Sequence, residues 1–369
     1  MGSAALWQLA RRGVRTLGID RFVPPHHLGS SHGRTRIIRE AYYEHPLYVP
    51  LVRRARTLWH ELEAATGEPL LQRTGAVMVG PATGALVPGA LESAITHALQ
   101  HECWTASDLL ERYPAFDVPP TFTAVWEPGA GVLRPERCIA LMLVEARRAG
   151  AQVLVDTPVT GWTPSGSHVV AATPSGDYAA SRIVLTAGPW LGQLLLDTMA
   201  LPLTLERAVQ FWFAPSQARS LDPSRVPVFL IEDEPGLLFY GIPDIGHGLK
   251  VAVHHQGENF SLEAPRRSVS EEEIVRARSM VNRWLPSAAG PLLDATTCIY
   301  TNTPDGHFLI DRHRDTPDVL VASCCSGHGF KFAPAIGELL ADLAAGLAPR
   351  FDLTPFRAGR FGEPTPTHG

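Results

Sequence analysis

Lysine is almost absent from this chain of 369 residues: it occurs only at Lys250 and Lys331, so 30 of the 32 basic side chains are Arg (32 − 2). Arg is a planar fork that keeps its proton, whereas Lys is a compact charge whose pKa moves readily when buried. The two positions therefore mark places where a fork does not fit or a tunable cation is wanted, unless a strong Arg bias simply left them behind. Lys331 lies in the stretch where residues capable of chemistry are densest. Cys298, Tyr300, Asp305, His307 and Asp311 lead into Val319-Leu320-Val321-Ala322, and then into Ser326-Gly327-His328-Gly329-Phe330-Lys331-Phe332. An apolar run broken by Gly-His-Gly lays a buried strand, a glycine turn and an amphipathic helix end to end. In such a unit the backbone approaches a ligand closely at the glycines, and the opening helical turn offers unpaired N–H groups to an anionic or electron-rich atom. A tight turn with glycines required only for steric reasons is the alternative.

A second cluster is Gly29-Ser30-Ser31-His32-Gly33-Arg34-Thr35-Arg36-Ile37-Ile38-Arg39. A polar, glycine-bearing loop with three arginines suits contact with an anionic cofactor or substrate, and equally suits a solvated surface loop. Other chemistries lack their residues. The adjacent pairs His26-His27, His254-His255 and Cys324-Cys325 do not have the spacing of metal ligands, so no metal site is expected. Neither G-x-S-x-G nor G-x-x-x-x-G-K-[ST] occurs, which argues against a serine hydrolase and a P-loop NTPase. Five cysteines without framework spacing fit a reducing compartment. A net charge of −5 with no basic block argues against nucleic acid as a partner, and no apolar run reaches membrane-spanning length. A soluble, cytoplasmic protein is expected; Pro366-Thr367-His368-Gly369 carries no peroxisomal tripeptide.

The elements that must position these residues read as follows. Residues 1–13 form a helix closed by Gly13, and 14–20 a strand ending in Asp20, the second half of a dinucleotide-binding βαβ unit in which Asp20 bonds a ribose hydroxyl. Gly2 stands where the third glycine of G-x-G-x-x-G belongs; the preceding strand and first two glycines are not in the sequence, and the true start is expected upstream of Met1. An amphipathic helix covers 46–65, burying Leu47, Val49, Leu51, Val52, Leu58, Trp59 and Leu62. Residues 81–135 are mixed, with 114–120 a connection; a helix at 134–150, a strand at 153–155 and a hairpin around 169–179 follow. Residues 182–190 read as a buried strand stopped by Gly188. Alternation dominates 203–257, as expected for an antiparallel sheet, and a helix at 270–285 returns the chain to Cys298. The tail after Arg360 reads as frayed.

These residues carry a resemblance. Ser31-His32-Gly33 with Thr35-Arg36-Ile37-Ile38-Arg39, Cys298-Ile299-Tyr300-Thr301-Asn302-Thr303-Pro304-Asp305, and Ser326-Gly327-His328-Gly329-Phe330-Lys331-Phe332 resemble, in order and spacing, the monomeric sarcosine oxidase family of flavin-dependent amine oxidases. That family includes N-methyltryptophan oxidase and the peroxisomal sarcosine/pipecolate oxidases, and the likeness runs from Gly2 to about Phe361. It implies an α/β (α+β mixed) fold: a Rossmann-like FAD-binding domain with a discontinuous second domain built on an antiparallel sheet. The expected boundaries are 1–78, 133–205 and 304–369 for the FAD-binding part, and 79–132 and 206–303 for the substrate part.

The resemblance also implies roles. FAD would be held at Gly2, Asp20, Ser31, His32, Arg36, Val159, Gly188, Gly327, His328, Gly329, Phe330 and Lys331, and joined covalently through an 8α-thioether to Cys298. Lys250 would promote reaction with O₂, Arg39 and Lys331 would bind the substrate carboxylate, and Tyr240, His254 and Tyr300 would line the substrate site, with Arg36 beside the flavin. The implied reaction is oxidation of a secondary amino acid such as sarcosine by a monomeric enzyme with O₂ as acceptor. A neutral amine gives up a hydride equivalent, the imine hydrolyses, and H₂O₂ is released; an N-methyl amino acid yields formaldehyde and the free amino acid. Two alternatives stay open: another FAD-dependent amino acid oxidase of the glycine oxidase kind, and a non-catalytic remnant if the missing first strand is a real loss.

Overall fold

The computed structural model describes residues 1–195, 198–215, 221–286 and 288–362. Its first helix, Gly2–Ala10, buries Ala4, Ala5, Leu6, Trp7 and Ala10, and the chain leaves it through Gly13 at φ +76°, a left-handed conformation that favours glycine. This helix packs on Pro135–Arg148 and on the last helix, Ala333–Ala345. The approach to the last helix is close enough that a Cβ on Gly337 would lie 2.5 Å from the Ala4 backbone.

The strand after the first helix is shorter than its apolar pattern suggests, Leu17–Ile19, and pairs in parallel with Gln152–Leu154. Ile183–Leu185 pairs in parallel with Val319–Ser323, which is antiparallel to Leu309–Arg312. These form separate sheets of two and three strands. Ile183–Leu185 is only partly buried, against the fully buried strand expected at 182–190, whereas every residue of Val319–Ser323 is buried. Strand Gly161–Ser165 extends the expected hairpin, His168–Thr173 with Gly176–Ala180, to three strands.

The largest sheet has eight strands in the order Leu292–Asn302, Thr204–Phe213, Leu249–His254, Leu237–Ile242, Val228–Glu234, Ala76–Pro81, Phe122–Glu127, Glu102–Thr105. The alternation across 203–257 becomes antiparallel pairing as expected, but the sheet as a whole is mixed, because Val228–Glu234 runs parallel to Ala76–Pro81. Residues directly opposite each other share a face. Register sets Lys250 against Trp212 and Ile242, Tyr240 against Leu230 and Ala252, His254 against Leu238, Cys298 against Ala208, and Tyr300 against Glu206. One face thus collects Lys250, Tyr240, His254, Cys298 and Tyr300. The other face buries Phe211, Phe213, Phe229, Phe239 and Val251 with Trp284 of the helix Glu271–Trp284, which Ser270 and Glu273 start with a reciprocal capping box.

Two expectations are corrected. The arginine loop at 29–39 ends in a strand, Arg36–Ile38, paired with Gly131–Leu133. The last helix is not amphipathic: residues 333–343 are all buried, because its acidic residues meet arginines of neighbouring segments, Glu338 with Arg54 and Asp342 with Arg12. The helix expected at 46–65 is Tyr48–Thr66, with the expected apolar residues buried apart from Leu47, which precedes it and is half-buried. Residues 363–369, most of the tail expected to fray, lie outside the described residues, as do 196, 197, 216–220 and 287.

Candidate active site

Three segments close over the catalytic-looking face of the large sheet. The arginine turn contributes Ser30, Thr35, Arg36 and Arg39; the glycine turn contributes Cys325, Gly327, His328, Gly329, Phe330 and Lys331; and the sheet contributes Gln210, Tyr240, Lys250, His254 and Tyr300. Together they bound a cleft with a cavity of about 100 Å³. Both lysines of the chain therefore line one cavity.

The arginine turn is held from behind. Glu136, in the first turn of its helix, accepts the Gly33 and Arg34 N–H groups at 2.8 and 3.0 Å, where φ is +101° and +67°. The resulting turn aims two carbonyls inward, and Lys250 Nζ donates to both, Gly33 O at 2.8 Å and Thr35 O at 3.0 Å. Burial, and then the charge of Arg36, push the Lys250 pKa well below an ordinary lysine value. A new negative charge nearby would pull it back up. Arg36 donates to Thr35 O at 2.8 Å and Ser30 O at 3.0 Å, and its Nη2 lies 3.6 Å from Cys298 Sγ. Cys298 is buried beside Arg36 and Ser30 rather than lining the cavity; burial raises its thiol pKa, opposed chiefly by Arg36.

Arg39 is not free. It donates from Nη2 to both Glu44 oxygens at 2.9 and 2.7 Å and from Nη1 to Ala41 O at 2.8 Å, and its guanidinium lies over the rings of Tyr42 and Tyr43. Burial pushes the Glu44 carboxyl up, but Arg39, His328 and Lys331 overcome this and hold it below its usual value. The backbone just after Arg39 is fixed by buried Glu127, which accepts the N–H groups of Glu40 and Ala41. Burial, followed by the charge of Arg39, brings the Lys331 pKa down to about 7. Burial and His255 push His254 well below the ordinary histidine value, and burial raises the phenols of Tyr240 and Tyr300. His254 Nδ1 lies 3.4 Å from the Tyr300 hydroxyl.

The N–H groups expected to be free at the glycine turn are partly used, since His328 and Gly329 both donate to Cys325 O at 2.9 Å. Gly327, at φ +72°, is hemmed in by rings: a Cβ there would lie 2.5 Å from His254 Cε1 and 2.9 Å from Tyr300 Cε2.

The remaining expected positions lie away from the cavity. Asp20, Val159 and Gly188 all follow the C-terminal ends of parallel strands, the side of an α/β sheet where ligands bind. Asp20 Oδ1 accepts the Phe22 N–H at 2.9 Å. Gly188, at φ +56°, opens the 3₁₀ turn Gly188–Trp190, and a Cβ on Gly2 would meet Thr186 Oγ1 at 2.8 Å. Ser31 is half-buried; His32 is buried, which lowers its pKa to about 3, with Arg36 adding to the effect. Four buried polar atoms around the arginine turn have no partner: Ser30 Oγ, His32 Nε2, Thr35 Oγ1 and Gln210 Oε1. Buried polar atoms are ordinarily paired, so this set marks a place for a polar ligand.

Tyr42, Glu44, Glu127, Glu136 and Gln210 escaped the sequence reading. Glu44 and Tyr42 stand five and three residues after Arg39, so proximity in sequence was their one available signal; the others reach the site only through the fold. Among the described residues no cluster of three or more His, Cys, Asp or Glu side chains could hold a metal ion, and no helix is long and apolar enough to cross a membrane.

The chain is 40% identical over 349 residues to monomeric sarcosine oxidase of Streptomyces avermitilis, covering 93% of this chain and 91% of that protein. It is 37% identical over 365 residues to N-methyl-L-tryptophan oxidase of Salmonella heidelberg, covering 98% and 97%. Its fold is similar to that of NikD, an unusual amino acid oxidase essential for nikkomycin biosynthesis, with a TM-score of 0.84 over 96% of this chain and 94% of that one at 22% identity. Residues 1–343 match the family described as FAD dependent oxidoreductase. Four cationic side chains on one buried cleft, a set of unpartnered polar atoms beside them and this match over most of the sequence lead to one conclusion: the chain belongs to the FAD-dependent oxidoreductase family.

Proposed function

We propose that the chain oxidises a secondary amino acid, N-methylated or cyclic, with sarcosine as the simplest candidate and O₂ as the electron acceptor. The observation that carries this reading is the convergence of Lys250, Lys331, Arg36 and Arg39 on one cleft that also holds the neutral imidazole of His254 and the phenols of Tyr240 and Tyr300, and whose carboxylate, Glu44, is paired with Arg39. The 40% identity to a sarcosine oxidase supports it.

The residues present fit FAD. Ser30, His32, Thr35 and Gln210 offer unpartnered polar atoms to the ring system, and Asp20, Val159, Gly188 and Gly2 gather at strand ends suited to the nucleotide half. Ser31, Arg36, Gly327, His328, Gly329, Phe330 and Lys331 complete the proposed cofactor contacts. Bound there, FAD supplies the two-electron acceptor and the route to O₂. Cys298 is assigned as the covalent attachment point, on the strength of its place beside Arg36. The segments 1–78, 133–205 and 304–369 are assigned to the cofactor domain, and 79–132 and 206–303 to the substrate domain.

Lys331 and Arg39 take the substrate carboxylate, which orients the carbon attached to nitrogen. His254 stays uncharged at neutral pH and so does not repel or protonate the amine, whose oxidation requires its lone pair. Tyr240 and Tyr300 keep their phenol protons and can donate hydrogen bonds. Lys250, held by two carbonyls and easily protonated when negative charge builds beside it, promotes electron transfer to O₂. Water hydrolyses the imine of an N-methyl substrate to formaldehyde and the free amino acid; a ring substrate leaves as the cyclic imine.

Oxygen uptake and H₂O₂ formation with sarcosine, L-pipecolate, L-proline, N-methyltryptophan and glycine test the reading. Turnover is expected with at least one secondary amino acid and at a lower rate with glycine; preference for glycine, or no turnover by flavin-loaded protein, would reject it.

A further inference from the structure

The hydrogen bonds around Lys331 have only one possible direction. Gly306 O can only accept, so His328, whose Nε2 lies 3.1 Å from it, carries its proton there and presents a bare Nδ1. Nδ1 is 2.6 Å from the Tyr42 hydroxyl, which must therefore donate to it. That leaves the Tyr42 oxygen to accept from Lys331 Nζ at 3.3 Å. Lys331 also donates to His328 O at 2.8 Å. Of the three N–H bonds of an ammonium, two are committed, and the third is left for the cleft that Lys331 lines.

Tyr42 is bound to the other cation as well. The Arg39 guanidinium lies 4.4 Å from the centroid of its ring, and Lys331 Nζ lies 5.1 Å from the same centroid. The ring cannot drift: it is completely buried against Tyr48 and Phe332 at 5.0 and 5.3 Å, and Ser93 donates to its carbonyl. Tyr42 does not line the cavity. We propose that Tyr42 is a positioning residue that sets the spacing of Arg39 and Lys331 and turns one Lys331 N–H toward the carboxylate of a bound amino acid. This deepens the assignment of those two cations to the carboxylate and rests on it. The groups that face the Lys331 ammonium are Arg39, Arg36, Glu44, His254, Tyr42 and His328, and of these only Tyr42 and the His328 carbonyl accept from it.

The test compares flavin-loaded wild type, Tyr42→Phe and Tyr48→Phe. Tyr48→Phe removes a phenol hydroxyl that lies 3.0 Å from His307 Nδ1 in the same aromatic cluster but does not touch Lys331. Acetate binding, followed by calorimetry, needs no turnover. Tyr42→Phe is expected to weaken acetate about tenfold, the scale of one hydrogen bond to a charged group, and to move the pH midpoint of binding downward as the ammonium loses an acceptor. Tyr48→Phe should match wild type on both counts. Among active amines, the KM of a carboxylate-bearing one should rise by a similar factor with kcat within about twofold, while an amine of similar size without a carboxylate should show no change. Equal acetate affinity in wild type and Tyr42→Phe, equal loss in both variants, or no acetate binding by wild type would each overturn the inference. Tyr42-dependent acetate binding in a protein that oxidises no amine would uphold this inference and reject the proposed substrate class. Turnover with Tyr42-independent binding would do the reverse.

Discussion

Replacing Glu44 by Gln separates the resting ion pair from the ligand it competes with. The wild-type pair is bidentate and secluded, with side-chain exposures of 3% for Arg39 and 17% for Glu44. Gln keeps the shape and one acceptor oxygen but removes the charge, so the cost is that of turning a charge-assisted contact into a neutral one, about 2–3 kcal/mol, less than the ~3–5 kcal/mol of deleting a buried partner outright. With an unfolding entropy of roughly 0.8 kcal/mol per kelvin for a chain of this length, that is a drop in Tm of about 3–4 °C. The pH dependence has a definite sign. Because the folded Glu44 pKa is lowered, its contribution is complete above the ordinary carboxylate range and lost as pH falls through the lowered value, so the gap between wild type and variant should close in acid. The same change removes a negative charge near an incoming carboxylate. For two such charges ~8 Å apart at an effective dielectric of ~20 the repulsion is about 2 kcal/mol, or roughly thirtyfold in affinity. Calorimetric scans with and without acetate would read both effects: a variant less stable alone that gains more from acetate than wild type does. An unchanged Tm together with unchanged acetate affinity would refute the view that Arg39 is held by Glu44 and serves a carboxylate.

Four further outcomes follow from the same geometry. Lys331 has a folded pKa near 7, so carboxylate binding should weaken by up to tenfold per pH unit above that value, and Lys331→Met should bind weakly at every pH and lose this dependence; the KM profile with pH checks it. Its depressed folded pKa also means that Lys331 adds stability as pH rises from about 7 toward the ordinary lysine value, a slope that Lys331→Met should flatten in unfolding titrations. Gly327→Ala combines φ +72° with a Cβ 2.5 Å from His254 Cε1, so its KM should rise at least tenfold, on the ~1–3 kcal/mol scale of backbone strain and overpacking; steady-state kinetics with unchanged KM would contradict the packing described. Lys250→Met should slow reoxidation of the reduced protein by O₂ at least tenfold while anaerobic reduction by substrate proceeds, as stopped-flow absorbance would show.

Much of the site was legible because the sequence is so sparing with lysine. Lys250 and Lys331 lie on different strands and turns, yet both reach one cavity, and the three motif segments that carry the resemblance supply most of its walls. The alternation in 203–257 announced the sheet, and its period of two dictates that Lys250, Ala252 and His254 share a face. Its eight-strand extent was not legible, since short runs such as Glu102–Thr105 carry no period long enough to read. The last helix misled because Glu338 and Asp342 look like a solvent stripe; only the fold brings Arg54 and Arg12 to them. Glu44 was missed for a related reason. A carboxylate five residues past an arginine reads as a surface charge until the intervening turn places both in a ligand cleft.

The most direct measurement of the central claim is anaerobic mixing of flavin-loaded protein with sarcosine and the other secondary amino acids, followed by admission of air. The account predicts that the visible absorption bleaches with at least one of them and returns in air with release of H₂O₂. A flavin-loaded protein whose spectrum none of them bleaches would contradict it.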